Sequence, residues 1–228
     1  MSLLSVSALE AAYGPVKALF GVDLDVGEGE VVALMGRNGM GKTTTIRAVF
    51  GLTPAVGGSI RFAGDEVRGL APHVVARRGL GLVPEGRRCF PNLTVEENLV
   101  AAARPGAWTM ARVVELFPRL GERRAQLART LSGGEQQMLA IGRALMTNPR
   151  LLVMDEATEG LAPVVRQDIW RSIRALKAEK LSILIVDKAL GDLMALADRC
   201  TVLENGRSVW TGRPAELDDA TRDRYLGV

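Results

Sequence analysis

The sequence offers little with which to build a disulfide or thiolate framework. Its 228 residues include two cysteines, Cys89 and Cys200, far apart and in unrelated contexts. That fits a reducing compartment and argues against a disulfide scaffold or a cysteine-built metal site. Long apolar runs are lacking as well. Stretches such as VVALM and ILIV fall far short of the roughly 18 to 20 residues that a membrane-spanning helix needs, so the chain is not expected to cross a bilayer. There is no run of five or six basic residues, and 29 Lys and Arg against 26 Asp and Glu leave a net charge of +3. Nothing in that balance calls for nucleic acid, and none is expected as a partner. The opening MSLLSVSALEAAYG has no basic start and carries Glu10 where a signal peptide would stay apolar, which predicts a cytoplasmic protein. A hydrophobic share of 47% is enough for a full core.

What the sequence does contain is a regular alternation of short apolar runs and helix-length amphipathic segments. EVVALMG, LGLVPE, RLLVMDE and SILIVDK are continuous apolar runs, the mark of strands covered on both faces, so an α/β fold with a parallel sheet is predicted. Residues 3–10, 18–26 and 59–63 read as shorter strands joined by glycine turns, a small antiparallel layer beside that sheet. From Val164 onward, Val165, Ile169, Ile173 and Leu176 recur at helical spacing and predict a covering helix. Between about Arg88 and Leu145 the strand signal disappears. There Thr94 and Glu97 form a capping box ahead of ENLVAAA, and further helical stretches follow. The expectation is one domain over 1–228 with a helical subdomain, about 88–145, inserted in it.

The strongest chemical signal is GRNGMGKTTT from Gly36. It matches G-x-x-x-x-G-K-[ST], follows a predicted strand and opens a helix, the context the motif requires. Gly36, Asn38, Gly39 and Gly41 let the backbone curl so that successive amides face phosphates at a helix N-terminus. Lys42 is expected to reach the β- and γ-phosphates of a nucleoside triphosphate, Thr43 to ligate Mg²⁺, and Thr44 to continue the cradle. RLLVMDE supplies the acidic half: Asp155 to hold the metal, Glu156 to polarise the attacking water. Alone, an acidic pair at a strand end is a capping or solvated feature; beside this loop it reads as a hydrolytic site. No N-K-x-D run marks a guanine site, so ATP is expected, with Tyr13 as a ring to stack on adenine or simply a surface aromatic in a Tyr-Gly turn.

LSGGEQQMLAIGRALM, from Leu131, begins with a second capping box, Ser132 with Glu135, and places Met138, Ile141 and Leu145 on a core-facing helix side. Gly133 and Gly134 after the cap leave a helix N-terminus open to phosphate, far in sequence from the first loop. Two phosphate sites on one domain make sense if a nucleotide is sandwiched between the loop of one subunit and the LSGG of another.

With GRNGMGKTTT, LSGGEQQ and LLVMDE in this order, essentially the whole chain resembles the ATP-binding subunits of ABC transporters. The fold implied is a P-loop NTPase core of the ABC ATPase kind, a mostly parallel sheet plus a small antiparallel layer with an inserted helical subdomain. The resemblance implies an ATPase using ATP and Mg²⁺ and a dimer with a second ABC ATPase subunit, like or unlike. In that dimer Ser132, Gly133 and Gly134 meet the γ-phosphate in trans. It also implies an integral-membrane permease partner and a peripheral seat on the inner face of the membrane. VPEGRRCFPNLTVEENL, GLAP and LADRCTVLENGR are most similar to the smaller ATPase subunits of branched-chain amino-acid importers. That branch carries Glu where most of the family has a coupling glutamine, so the resemblance places Glu85 at Mg²⁺ and at the membrane partner.

Three positions depart from the pattern. Ala157 stands where proline usually follows the general base, Glu159 where a small or apolar residue lies in the loop at the dimer interface, and Lys188 where most of the family has a switch histidine. Three roles are open for Lys188: its ammonium meets the γ-phosphate, it pairs with Asp187 or Glu156 and holds the site inactive, or it points to solvent while Asp187 caps the next helix. His73, the lone histidine, reads as a surface residue. A regulatory half-site with weak hydrolysis is the alternative function. A soluble translation or repair ATPase is disfavoured, since those usually bring two cassettes or a long coiled coil.

Overall fold

The computed structural model describes residues 2–226. Six strands form the main sheet in the order β10-β9-β3-β8-β7-β6: β3 (Val31–Met35), β6 (Leu80–Val83), β7 (Leu151–Asp155), β8 (Ser182–Val186), β9 (Arg199–Glu204) and β10 (Arg207–Gly212). All neighbours are parallel except β9 and β10, which form an antiparallel hairpin at one edge. The central strands are covered on both faces, as their unbroken apolar runs require. Val31, Ala33 and Met35 of β3 enter one core while Val32 and Leu34 enter the other, and the same alternation divides Leu152 and Met154 from Leu151 and Val153 in β7.

The second sheet, β2-β1-β4-β5, is antiparallel: β1 (Ser2–Tyr13), β2 (Val16–Gly27), β4 (Ala55–Phe62) and β5 (Asp65–Glu66). These strands exceed the expected 3–10, 18–26 and 59–63. A bulge allows β1 to run on past Ser7: the register shifts between Ser7 and Glu10, and Ala8 takes φ +46°. Between the two sheets and α1 (Lys42–Val49) lies a core of Leu4, Leu24, Ile46, Ile60 and Phe62.

Between β6 and β7 the chain is helical: α3 (Val95–Ala102), α4 (Met110–Leu116), α5 (Pro118–Glu122), a short 3-10 turn and α6 (Gly133–Met146), preceded by α2 (Pro72–Arg77) ahead of β6. Both expected capping boxes are formed, Thr94 with Glu97 and Ser132 with Glu135. Met138, Ile141 and Leu145 are buried in the other core with Trp170, Ile169 and Ile173 of α7 (Pro163–Ala178). The chain closes with α8 (Leu190–Leu196) and α9 (Asp219–Tyr225). Among residues 2–226 no helix is long and apolar enough to cross a membrane.

Candidate active site

Four adjacent parallel strands deliver the site. β3, β8, β7 and β6 end on one edge of the sheet, and the loops leaving them carry the glycine-rich loop, Asp187–Lys188, Asp155–Glu156 and Glu85. A cavity of about 310 Å³ opens there, with Asn38, Gly39, Gly41 and Lys42 to Thr44 on one wall and Glu85, Glu156, Glu159 and Lys188 on the other. This is the carboxyl edge where open α/β sheets bind ligands.

The glycine-rich loop is shaped by contacts only glycine permits. At Gly36, φ is +136° and a Cβ would lie 2.4 Å from the Leu203 carbonyl of β9. Gly39, at φ +79°, faces open space, so the backbone there is bare to a ligand. Gly41, at φ +102°, is the N-cap of α1. The Lys42 ammonium donates to the Gly36 and Arg37 carbonyls at 2.7 and 2.8 Å, folded over the loop it belongs to.

The Thr43 hydroxyl donates to Asp155 Oδ1 at 3.3 Å, bringing together residues 112 positions apart. Burial pushes the Asp155 carboxyl up, against the Thr43 bond. Burial also pushes Lys42 down, against the attraction of Glu156 and Asp155. Both groups are thus short of solvation for their charges, which a cation on the oxygens and an anion on the lysine would supply. The Thr43 hydroxyl and Asp155 carboxylate are hard oxygens of the kind that Mg²⁺ takes, and Glu85, whose charge also raises Asp155, lines the cavity with Thr43.

Glu156 is held at φ +52°, unusual for a residue with a side chain, by its amide bond to the Val186 carbonyl at 2.8 Å. Carboxylate oxygens of Glu85, Glu156 and Glu159 lie within 4.8 Å of one another. Lys188 compensates this cluster. Its ammonium pairs with Glu159 and lies 3.3 Å from Glu156 Oε2. Burial and then Glu159 push the Glu156 carboxyl up, whereas Glu156 and Lys188 hold Glu159 below its usual range. Of the expectations for Lys188, pairing with Glu156 is seen and pairing with Asp187 is not. Asp187 instead accepts from the Thr158 amide and hydroxyl and from the Ala189 amide. Nor does Asp187 cap α8, whose N-cap Ala189 makes no side-chain cap bond.

LSGG lies apart from this cavity: none of Ser132, Gly133 and Gly134 lines it. Ser132 accepts from the Glu135 amide, and Glu135 answers with a bond from the Ser132 amide at 2.8 Å and an ion pair with Arg123 at 2.5 Å. The helix start is less bare than the sequence suggests. A Cβ on Gly133 would meet Arg87 Nη1 at 2.1 Å, and one on Gly134 would meet Val165 Cγ1 at 2.3 Å.

Residues 19–159 match the ABC transporter family profile. The chain belongs to that family. Over 99% of its length and the whole of the relative it is 46% identical to the high-affinity branched-chain amino acid transport ATP-binding protein BraG of Pseudomonas aeruginosa. It is 34% identical to the probable branched-chain amino acid transport ATP-binding protein LivF of Archaeoglobus fulgidus, across 94% of each chain. In three dimensions it superposes on a nucleotide-free ATP-binding cassette from an ABC transporter with a TM-score of 0.84 at 27% identity, covering 100% of this chain and 96% of that one.

Two further features of the cassette bear on the site. Tyr13 ends β1 with its ring half exposed, its hydroxyl 3.3 Å from Thr44 Oγ1 and 3.5 Å from Thr53 Oγ1, so the ring stands at the rim beside the loop. Arg87 donates to the Glu159 and Gly160 carbonyls at 3.1 Å each and lies against Gly133, which links the LSGG helix to the loop after Glu156. The sequence reading missed Arg87 and Thr158. Arg87, half-buried, takes φ +51° just after the Glu85–Gly86 turn, a placement no residue pattern announces. His73 is an exposed residue of α2, as expected.

Proposed function

We propose that this ABC ATPase is the ATP-binding and hydrolysing subunit of an importer for branched-chain or related amino acids. Lys42 and the amides of Gly39 to Thr44 bind the phosphates, Tyr13 stacks on adenine, and Thr43 with Asp155 and Glu85 holds Mg²⁺. When bound, Mg²⁺ supplies neutralisation of the charge on the phosphate oxygens. Glu156 orients and polarises the attacking water, and its carboxyl, raised by burial, suits that task. The observation that carries the reading is the 3.3 Å Thr43–Asp155 bond, which joins the phosphate loop to the acidic strand end.

The protein works as a dimer with a second ABC ATPase subunit, in which Ser132, Gly133 and Gly134 complete the nucleotide site of the partner. Their separation from the cavity of their own chain supports that arrangement. The segment 88–145 acts as a helical subdomain, and the dimer sits peripherally on integral-membrane permease subunits at the inner face of the cell membrane. Mg-ATP turnover of wild type against Glu156→Gln, at equal nucleotide occupancy, tests the hydrolytic reading: wild type turns over and the variant binds without turnover. Copurification with a permease tests the rest.

The ion pair on Glu156 favours one other reading, a nucleotide-binding half-site whose base is held by Lys188. A wild type that binds ATP but is silent, with activity gained by Lys188→His, would establish it.

A further inference from the structure

Two successive rungs join the loop after β7 to the loop after β8. In the first, the Thr158 amide and hydroxyl donate to Asp187. In the second, Lys188 pairs with Glu159 and reaches Glu156. The backbone of Glu159 is itself anchored: its carbonyl accepts from Arg87, and its amide donates to the Glu156 carbonyl at 3.3 Å. Lys188 is a point charge on a flexible stem with 51% of its side chain exposed, and alone its ammonium would spread over many rotamers. Glu159 confines it to the cavity that Lys42 and Thr43 also line. Because Glu159 shares that ammonium with Glu156, the cation is not committed to the general base.

We propose, resting on the hydrolytic reading above, that Glu159 is a positioning residue for ATP hydrolysis. It tethers the Lys188 ammonium beside Glu156, where it meets the terminal phosphate of the nucleotide. Glu159 makes no bond to the substrate and moves no proton; it acts through Lys188. The two departures from the family pattern thus compensate one another, the acid aiming the lysine.

The full chain tests this through Glu159→Gln, Glu159→Asp, Lys188→Gln, the double Gln variant and the charge swap Glu159→Lys with Lys188→Glu. Glu159→Gln should lower kcat about tenfold, less than the roughly 10²–10³ that outright loss of an aimed electrostatic group costs, because Lys188 keeps its charge and loses only its tether. Its Kd for a fluorescent ATP analogue in EDTA should stay near wild type. Glu159→Asp should retain most of the turnover, and the double Gln variant should be no slower than Lys188→Gln alone, since the pair acts as one unit. The swap should stay as slow as Lys188→Gln, because it rebuilds an ion pair but aims a carboxylate at the phosphate. In the nucleotide-free protein, acetic anhydride should label Lys188 faster in Glu159→Gln than in wild type, read by peptide mass spectrometry.

Turnover of Glu159→Gln within twofold of wild type, or a swap that restores activity, overturns the assignment; restoration would make the pair a structural brace. Unchanged labelling of Lys188 also overturns it. Should Glu159→Gln melt early, the swap and the aspartate variant decide. Wild type that binds ATP without turning it over overturns the hydrolytic reading and this assignment together, whereas an active wild type with an indifferent Glu159→Gln overturns this assignment alone.

Discussion

The Thr158 hydroxyl lies 2.7 Å from one carboxylate oxygen of Asp187 and 2.8 Å from the other, while the Thr158 amide donates to the same group at 2.9 Å. A buried threonine two residues past the candidate base is thereby fixed to the end of the neighbouring strand. The charged corner of β8 has two functions in one dipeptide: Asp187 knits the loops and Lys188 faces the cavity.

Thr158→Val keeps the shape and removes the hydroxyl. It should cost about 1.5 to 3 kcal/mol, the range for a hydrogen bond to a charged group. It should also lower turnover, because Glu156 sits on the same loop. Urea denaturation and an ATPase assay check both, with Thr158→Ser expected to behave as wild type. An unchanged urea midpoint for the valine variant would mean that the carboxylate is satisfied by its two amide donors alone.

Gly133 and Gly134 should respond differently to alanine. At Gly133 the new Cβ meets the end of the Arg87 side chain, which can swing away at the cost of its exposed bonds to the Glu159 and Gly160 carbonyls, so Gly133→Ala should lower the melting temperature only slightly. At Gly134, which is buried, it meets the stiff, half-buried Val165 Cγ1, and overpacking of this kind costs about 1 to 3 kcal/mol. Val165→Ala should rescue Gly134→Ala. Equal melting temperatures for the two glycine variants would show that the α6–α7 contact yields.

The parallel strands were legible because burial on both faces leaves one pattern, an unbroken apolar run, and β3, β6, β7 and β8 all show it. β9 and β10 are not legible as strands: the residues of β9 enter only within LADRCTVLENGR, quoted for the family resemblance, and β10 lies beyond that stretch apart from Arg207. β10 is an edge strand of alternating exposed and half-buried residues, RSVWTG, that leaves a weak signal, and β9 is recognisable mainly through its place beside β3. Within the candidate site, motif spacing singled out Lys42, Thr43, Asp155 and Glu156, and the fold brings these residues together at the carboxyl edge of the sheet. Motif spacing did not reveal that Lys188 would choose Glu159 over its neighbour Asp187. That choice depends on where two loops meet in space, and on Thr158 having already engaged the aspartate.

The LSGG capping box should show itself in the pH dependence of stability. Burial raises Glu135, but the bonds from Ser132 and the Arg123 charge outweigh it, leaving the carboxyl below its usual range. A group depressed in the folded state stabilises fully above its unfolded pKa of about 4.3, and that contribution is lost as pH falls through the folded value. Glu135→Gln should therefore be less stable than wild type at pH 7 by about 1 kcal/mol, a modest figure because Arg123 is partly solvated. The gap should close as pH drops below about 4. Thermal melts of both proteins from pH 3 to 7 measure it, and a gap independent of pH would assign the loss to shape alone.

Tyr13 separates two ways of holding a nucleotide. Its hydroxyl faces Thr44 and Thr53, which steadies the ring at the rim of the phosphate loop without hiding it. If the ring stacks on adenine, Tyr13→Ala should weaken ATP binding by about 0.5 to 1.5 kcal/mol, the usual yield of an aromatic stack, and Tyr13→Phe should cost far less. Affinity for inorganic tripolyphosphate, which has phosphates and no base, should be the same in wild type and both variants. Titration calorimetry of the three proteins with the two ligands makes the comparison. A loss shared by ATP and tripolyphosphate would mean that Tyr13 acts through Thr44 on the phosphate loop, and an equal loss of ATP affinity in Tyr13→Phe and Tyr13→Ala would put the effect in the hydroxyl.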